Sequence, residues 1–164
     1  MDSHAAVAAL DSLVGDPRRG LPEEVFLFAS RITPLINVDL LIRDELGRTL
    51  LTWRDDEFFG AGWHVPGGII RYKEMMADRI QACAREELGA EIAFETVPLL
   101  VSETIREHRI RGHFISLLYG CRLLAPPDEG RRAGANPPTP GQWQWHECCP
   151  PNLLNVQAQY AHFL

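Results

Sequence analysis

The sequence predicts an α/β (α+β) fold in which a mixed β-sheet core is sandwiched between helices. Three observations carry that prediction. Runs rich in Ile, Leu and Val recur between turn residues from 33 to 146; one uninterrupted helical stretch, 73–88, lies among them; a last helical segment follows. Strand-like and helix-like segments interleave in this way when a sheet core carries helices on its faces.

Each element has a local cause. Residues 4–14 (HAAVAALDSLV) have the composition of a short helix, closed by Gly15, Asp16 and Pro17. Pro22 suits a first helical position and opens a second short helix that runs to about Arg31. PLINVDLLIRD and RTLLTWR flank the turn 44–47 and read as a β-hairpin. Residues 55–62 form a polar, then glycine-rich loop, and WHVPGGII gives a short strand, a turn and another short strand. The stretch from Lys73 to Leu88 holds no Gly or Pro and stops at Gly89, a residue suited to the left-handed position past a helix end. AEIAFETVPLLVSETI and HFISLLYGCRLL read as two longer strands joined by the charged stretch 106–111. APPDEGRRAGANPPTPG, 125–141, is a loop on its five prolines and three glycines. QWQWHE is the last strand and 152–164 a closing helix. The whole of 1–164 reads as a single domain, with 1–32 as an N-terminal helical extension.

Composition narrows the function classes. A chain of 164 residues, 46% hydrophobic and 23% charged, can bury a full core. A net charge of −6 argues against general affinity for nucleic acid or acidic membranes. No stretch approaches the roughly 20 apolar residues of a membrane span, and Asp2 and His4 stand where a signal peptide would be basic, so the expected location is the cytoplasm. Cys83, Cys121, Cys148 and Cys149 form no CxxC pair and read as reduced thiols. An acidic protein that handles an anion needs a metal or placed arginines to neutralise it.

The segment GGIIRYKEMMADRIQACAREELGA, 67–90, carries the chemistry. A Gly-Gly turn leads into a helix on which positions 83, 86 and 87 face one edge. Adjacent carboxylates call for a counter-charge, and a hard cation such as Mg²⁺ or Mn²⁺ takes oxygen ligands while keeping positions open for phosphate. The carbonyl of a glycine can approach such an ion closely.

This segment resembles the Nudix box, G-x5-E-x7-R-E-U-x-E-E-x-G-U with U apolar. Gly68 and Glu74 match its start and Glu86, Glu87 and Gly89 its end; Ala82 and Cys83 replace its Arg and first Glu. With LPEEVF…TPLINVDLLIRDELGRTLLTWR…GWHVPGGIIRYKE and the ending NVQAQYAHFL, the chain resembles the GDP-mannose mannosyl hydrolase branch over roughly 21–164. That resemblance implies hydrolysis of a nucleoside diphosphate sugar, GDP-mannose or GDP-glucose, with water attacking the anomeric carbon to release GDP. It implies metal ligation by the Gly67 carbonyl and Glu87, joined by the retained Glu86. It also implies sugar or base contact by Asp39, phosphate binding by Arg54, and a homodimer. The branch carries Arg after Gly-Gly, where Ile69 stands, and Arg71 is the expected substitute, on the same side of a strand. The branch's Gln-His pair, which supplies a further metal ligand and the general base, falls at Thr139 and Pro140, so Glu103, Glu107, His108 and His113 become candidates for the base. Two other functions stay open: Nudix pyrophosphatase chemistry at phosphorus on ADP-ribose or a nucleoside triphosphate, and a degenerate domain that binds a nucleotide without turnover.

The bland readings are these. Cys83 is a small buried residue, Trp143 and Trp145 are core packing, and His146 with Cys148 and Cys149 fits no zinc spacing.

Overall fold

A computed structural model describes residues 2–134 and 136–164. Two sheets form the core. The five-stranded sheet runs in the order β4 (Gly67–Ile69), β1 (Leu35–Ile42), β7 (His113–Leu123), with β5 (Ile92–Phe94) and β6 (Leu100–Ile105) pairing with different parts of β7. The central pair β1–β7 is parallel, and β1–β4 is antiparallel. The three-stranded sheet is β3 (Gly60–His64), β2 (Thr49–Asp56) and β8 (Trp143–His146), all antiparallel. The expected mixed sheet with helices is therefore the observed architecture.

The helix α3 (Met76–Leu88) packs on one face of the larger sheet. Ile80, Cys83, Ala84 and Leu88 meet Val38, Leu40 and Ile42 of β1 with Tyr119, Leu50 and Trp143. On the opposite face Leu41 and Leu118 meet Leu51, Trp63, Val65 and Tyr160. Strand alternation makes this two-sided packing possible. Gly89 closes α3 in the left-handed conformation at φ 64°, as expected. The segment after β7 then turns back over that helix end: Arg131 Nη1 donates to the carbonyls of Glu86 and Glu87 at 2.8 and 3.2 Å. The N-terminal α1 (Ser3–Val14) and α2 (Glu23–Ala29) bury none of their residues.

Five local expectations change. The loop expected over 55–62 shrinks to 57–59, because β2 runs on to Asp56 and β3 opens at Gly60 in antiparallel pairing. The β1–β2 hairpin is absent among the described residues: the strands lie in different sheets and meet through a single bridge, Arg43–Thr49. The helix begins at Met76, because Lys73 is left-handed at φ 57° and the Glu74 N–H closes a turn onto the Arg71 carbonyl. The strand expected over 90–105 is two strands, interrupted between Phe94 and Leu100. The closing helix is 3-10 over Asn155–Phe163, kinked at Gln157, whose side chain holds both backbone groups of Val65.

Candidate active site

β1, β2, the β3–β4 junction and the C-terminal segment enclose a cleft of about 140 Å³. Asn37, Asp39, Arg54, His64, Gly67 and Gln157 are among its walls. Sheet register explains the gathering. Asp39 is the Cα partner of Gly67 across β1–β4, and Thr52 is the partner of His64 across β2–β3.

Glu87, in the last turn of α3, sits behind this cleft and is bonded to its Gly67 wall. Its Oε1 accepts the Gly67 N–H at 2.9 Å and its Oε2 the Thr52 hydroxyl at 2.8 Å. Burial raises its proton affinity. His64 Nε2 lies 3.6 Å from the same Oε2. His64 Nδ1 is 2.8 Å from the Thr52 carbonyl, which can only accept, so Nδ1 carries the proton and Nε2 the lone pair. Burial first, then the Arg54 charge, pushes this imidazole down to about 3, so it is neutral. The sequence reading passed over His64. Its signal was a lone polar residue between Trp63 and Val65, two residues before the Pro-Gly-Gly segment.

Asp39 is buried at 4% exposure on the cleft floor. Its Oδ2 accepts from the Tyr160 hydroxyl at 2.6 Å and from Asn37 Nδ2 at 2.9 Å, while Ser116 Oγ donates to Asn37 Oδ1 at 3.0 Å. Burial drives its carboxyl up to about 7, against the two hydrogen bonds; the Glu87 charge pushes the same way and Arg54 opposes it. A Cβ on Gly67 would overlap Asp39 Oδ1 and the Val38 carbonyl, so only glycine lets the two strands close around this acid.

Glu86 points elsewhere. Its side chain is 56% exposed and its oxygens lie 3.3 Å from Arg79 Nη1 and 3.8 Å from Arg71 Nη2. Arg79 is 4% exposed and grips Glu74 through Nε and Nη2 at 2.8–3.1 Å. The box arginine that Ala82 lacks is thus replaced from one turn earlier in the helix. Cys83 is buried beneath Gly68, and burial first pushes its thiol up to about 12, as suits a packing residue.

Two sets of expected residues lie away from the cleft. Arg71 follows β4 rather than continuing it and sits beside Glu86, off the cleft lining. Glu103 and His113 pair with each other at 3.0 Å on the sheet face opposite Thr104 and Ser116, which line the cleft. His108 and Glu107 are exposed in the loop beyond and line no part of it either. Arg54 does line the cleft, with Nε 3.7 Å from Asp56.

The donor chemistry suits a hard cation. Two buried or partly buried carboxylates, Asp39 and Glu87, flank one backbone glycine without a guanidinium paired to either. Among the described residues no three His, Cys, Asp or Glu side chains converge on one point. Such a set matches the way Mg²⁺ is held, by one or two carboxylates with the remaining positions left to water and substrate phosphate.

The fold recurs in solved structures. The MutT NUDIX hydrolase of Burkholderia pseudomallei matches 80% of this chain and 98% of that one, with a TM-score of 0.63 at 21% identity. The fold is the Nudix hydrolase fold. A possible asymmetric diadenosine tetraphosphate hydrolase of Jonesia denitrificans shares this Nudix architecture over 80% of this chain and 96% of that one, TM-score 0.61, 21% identity. A UDP-X diphosphatase matches 96% of this chain and 64% of that one, TM-score 0.57, 17% identity. No protein-family model matches the chain. Among curated proteins, the low-salt glycan biosynthesis protein Agl8 of Haloferax volcanii is 35% identical over 80 residues, 49% of this chain. The matched part spans 51% of that relative's length. No helix among the described residues is long and apolar enough to cross a membrane.

Proposed function

We propose that this Nudix-fold protein is a divalent-metal-dependent hydrolase of a nucleoside diphosphate sugar of the GDP-mannose or GDP-glucose type. The observation that carries the reading is the convergence of Asp39, Arg54 and Gly67 on one cleft, with Glu87 bonded to the Gly67 N–H. Asp39 spends Oδ2 on Tyr160 and Asn37, which leaves Oδ1 for a sugar hydroxyl. Arg54 presents a planar fork to phosphate oxygens. Glu87 and the Gly67 carbonyl would hold Mg²⁺ or Mn²⁺, which when bound offsets negative charge on the leaving diphosphate. Glu86 joins that set only if Arg79 and Arg71 release it. In the reaction the water oxygen joins the anomeric carbon, the bond from that carbon to the diphosphate oxygen breaks, and the nucleoside diphosphate leaves. The part of Agl8 in glycan biosynthesis agrees with a sugar-nucleotide substrate. We place the protein in the cytoplasm and expect a homodimer.

Attack at phosphorus is the second reading, favoured by the match to a UDP-X diphosphatase along nearly the whole chain. Phosphorus NMR of a GDP-mannose incubation with Mg²⁺ separates the two. GDP supports anomeric substitution, GMP with mannose 1-phosphate supports attack at phosphorus, and an unchanged spectrum across GDP-, UDP- and ADP-sugars overturns both.

A further inference from the structure

The cleft has a cationic wall that neither Glu87 nor Asp39 explains. Arg54 of β2, with Arg106 and Arg111 of the β6–β7 connection, surrounds the ring of Phe59, their Cζ atoms 5.7, 5.0 and 4.8 Å from its centroid. Arg54, Arg111 and Phe59 line the cleft. Among the described residues neither Arg106 nor Arg111 forms an ion pair; the carboxylate nearest this group is Asp56, shared with Arg54 at 3.7 Å. Arg106 spends its two terminal nitrogens on the Phe58 carbonyl at 3.2 and 3.3 Å. Arg111 has no such outlet, and its Nε is buried without an acceptor.

The chain goes to some length to place Arg111 there. Its backbone is left-handed at φ 56°, one of two non-glycine residues in that region among those described. Gly112 follows, where a Cβ would overlap the His108 carbonyl. The aromatic rings of Phe26, Phe58 and Phe59 hold the guanidinium at 4.8–5.7 Å. Burial, then the charge of Arg54, depresses its proton affinity, a sign that the cation sits in an unfavourable field. In an acidic protein, three guanidiniums gathered around one ring, two of them on the cleft wall and only Arg54 paired with a carboxylate among the described residues, are a site that lacks its anion.

We propose that Arg111, flanked by Arg54 and Arg106, is an anion-binding residue that grips the diphosphate of the nucleotide entering this cleft. The inference rests on the cleft being the nucleotide site, but its test does not depend on turnover. Aromatic contacts alone would make Arg111 a structural staple; an anion site makes the stability of the protein respond to a polyanion through this side chain.

The probe is inorganic pyrophosphate in EDTA-treated buffer, read by thermal unfolding and by calorimetry at matched ionic strength, on the wild type, Arg111→Gln, Arg111→Lys and Arg106→Gln. The wild type should be stabilised by pyrophosphate and much less by sulfate. Arg111→Gln should bind pyrophosphate roughly tenfold more weakly or worse, a loss of about 1.4 kcal/mol. Arg111→Lys, which keeps the charge without the fork, should fall between them, and Arg106→Gln should show a smaller loss than Arg111→Gln. If Arg111→Gln does not fold, the Lys and Arg106 variants decide alone. Equal pyrophosphate binding in all the folded variants overturns the proposal, as does equal stabilisation by sulfate or no binding to the wild type. Turnover of a sugar nucleotide with Arg111-independent pyrophosphate binding would sink this inference and leave the proposed function standing. Arg111-dependent binding without any turnover would do the reverse.

Discussion

Glu86 and Glu87 are neighbours in the chain yet belong to different regions of the molecule. Glu87 turns inward to the back of the cleft wall, where burial makes its charge costly and where Gly67, Thr52 and His64 surround it. Glu86 turns outward to Arg79 and Arg71, in a network with Glu74 that ties the turn after β4 to the helix. One region is unbalanced in charge and poised for a ligand; the other is balanced and complete. The difference teaches that a motif's spacing places carboxylates on an edge, while the cations nearby decide which of them remains free for chemistry.

The balanced region should be the more fragile to mutation. Replacing Arg79 with Ala strips a buried guanidinium from Glu74 and leaves that carboxylate with only the Arg71 N–H and the more distant Arg71 charge. Loss of one partner of such a pair costs about 3–5 kcal/mol. Urea unfolding should show that loss; a change below about 1 kcal/mol would mean that the network is ornamental and that the contrast between the two regions is false.

The unbalanced region should respond in activity instead. Glu87→Gln should lower metal-dependent turnover by roughly a hundredfold or more, while Glu86→Gln should cost less than about tenfold. Steady-state kinetics on the sugar nucleotide that proves active gives the comparison. Equal losses would show that Glu86 leaves its arginines when the substrate complex forms. Next in size comes Tyr160→Phe, which removes a 2.6 Å hydrogen bond to buried Asp39. A hydrogen bond to a charged acceptor is worth about 1.5–3 kcal/mol, and the loss should appear in stability and in KM for the sugar nucleotide. An unchanged KM would remove Asp39 from the substrate site.

Much of the fold was legible because its signals are local. Gly89 after an uninterrupted helical run marks a helix end, and the Ile-Leu-Val runs mark strands whatever their neighbours. Pairing was less legible. LINVDLLI and TLLTWR sit close enough for a hairpin, but β1 is buried from Val38 through Ile42, the continuous apolar pattern of a strand covered on both faces and paired in parallel. That run held the clue, and the nearby turn outweighed it. In the site, Asp39, Arg54, Gly67 and Glu87 could be placed from the motif and the resemblance. His64 and Arg111 could not, since the first acts through β2–β3 register and the second through a left-handed turn 55 residues beyond the end of β2, which carries Arg54. Arg79 was hidden for another reason: it performs from one helical turn earlier the pairing that Ala82 cannot.

The smallest effect is the one that tests why the balanced region is balanced. Burial alone would push the Glu74 carboxyl up, but hydrogen bonds from Arg79 and the Arg71 N–H, aided by both guanidinium charges, outweigh it and hold the group below its ordinary 4.5. A carboxyl whose affinity for protons is lower in the folded state stabilises that state above its unfolded value. The contribution is therefore complete above 4.5 and is lost as pH falls through the depressed value in the folded protein. Glu74→Gln carries no such charge, so the stability gap between wild type and variant should shrink as urea midpoints are taken from about pH 6 down to about pH 3. A gap that stays constant would assign the pairing to shape and hydrogen bonding, and the region's balance would no longer be one of charge.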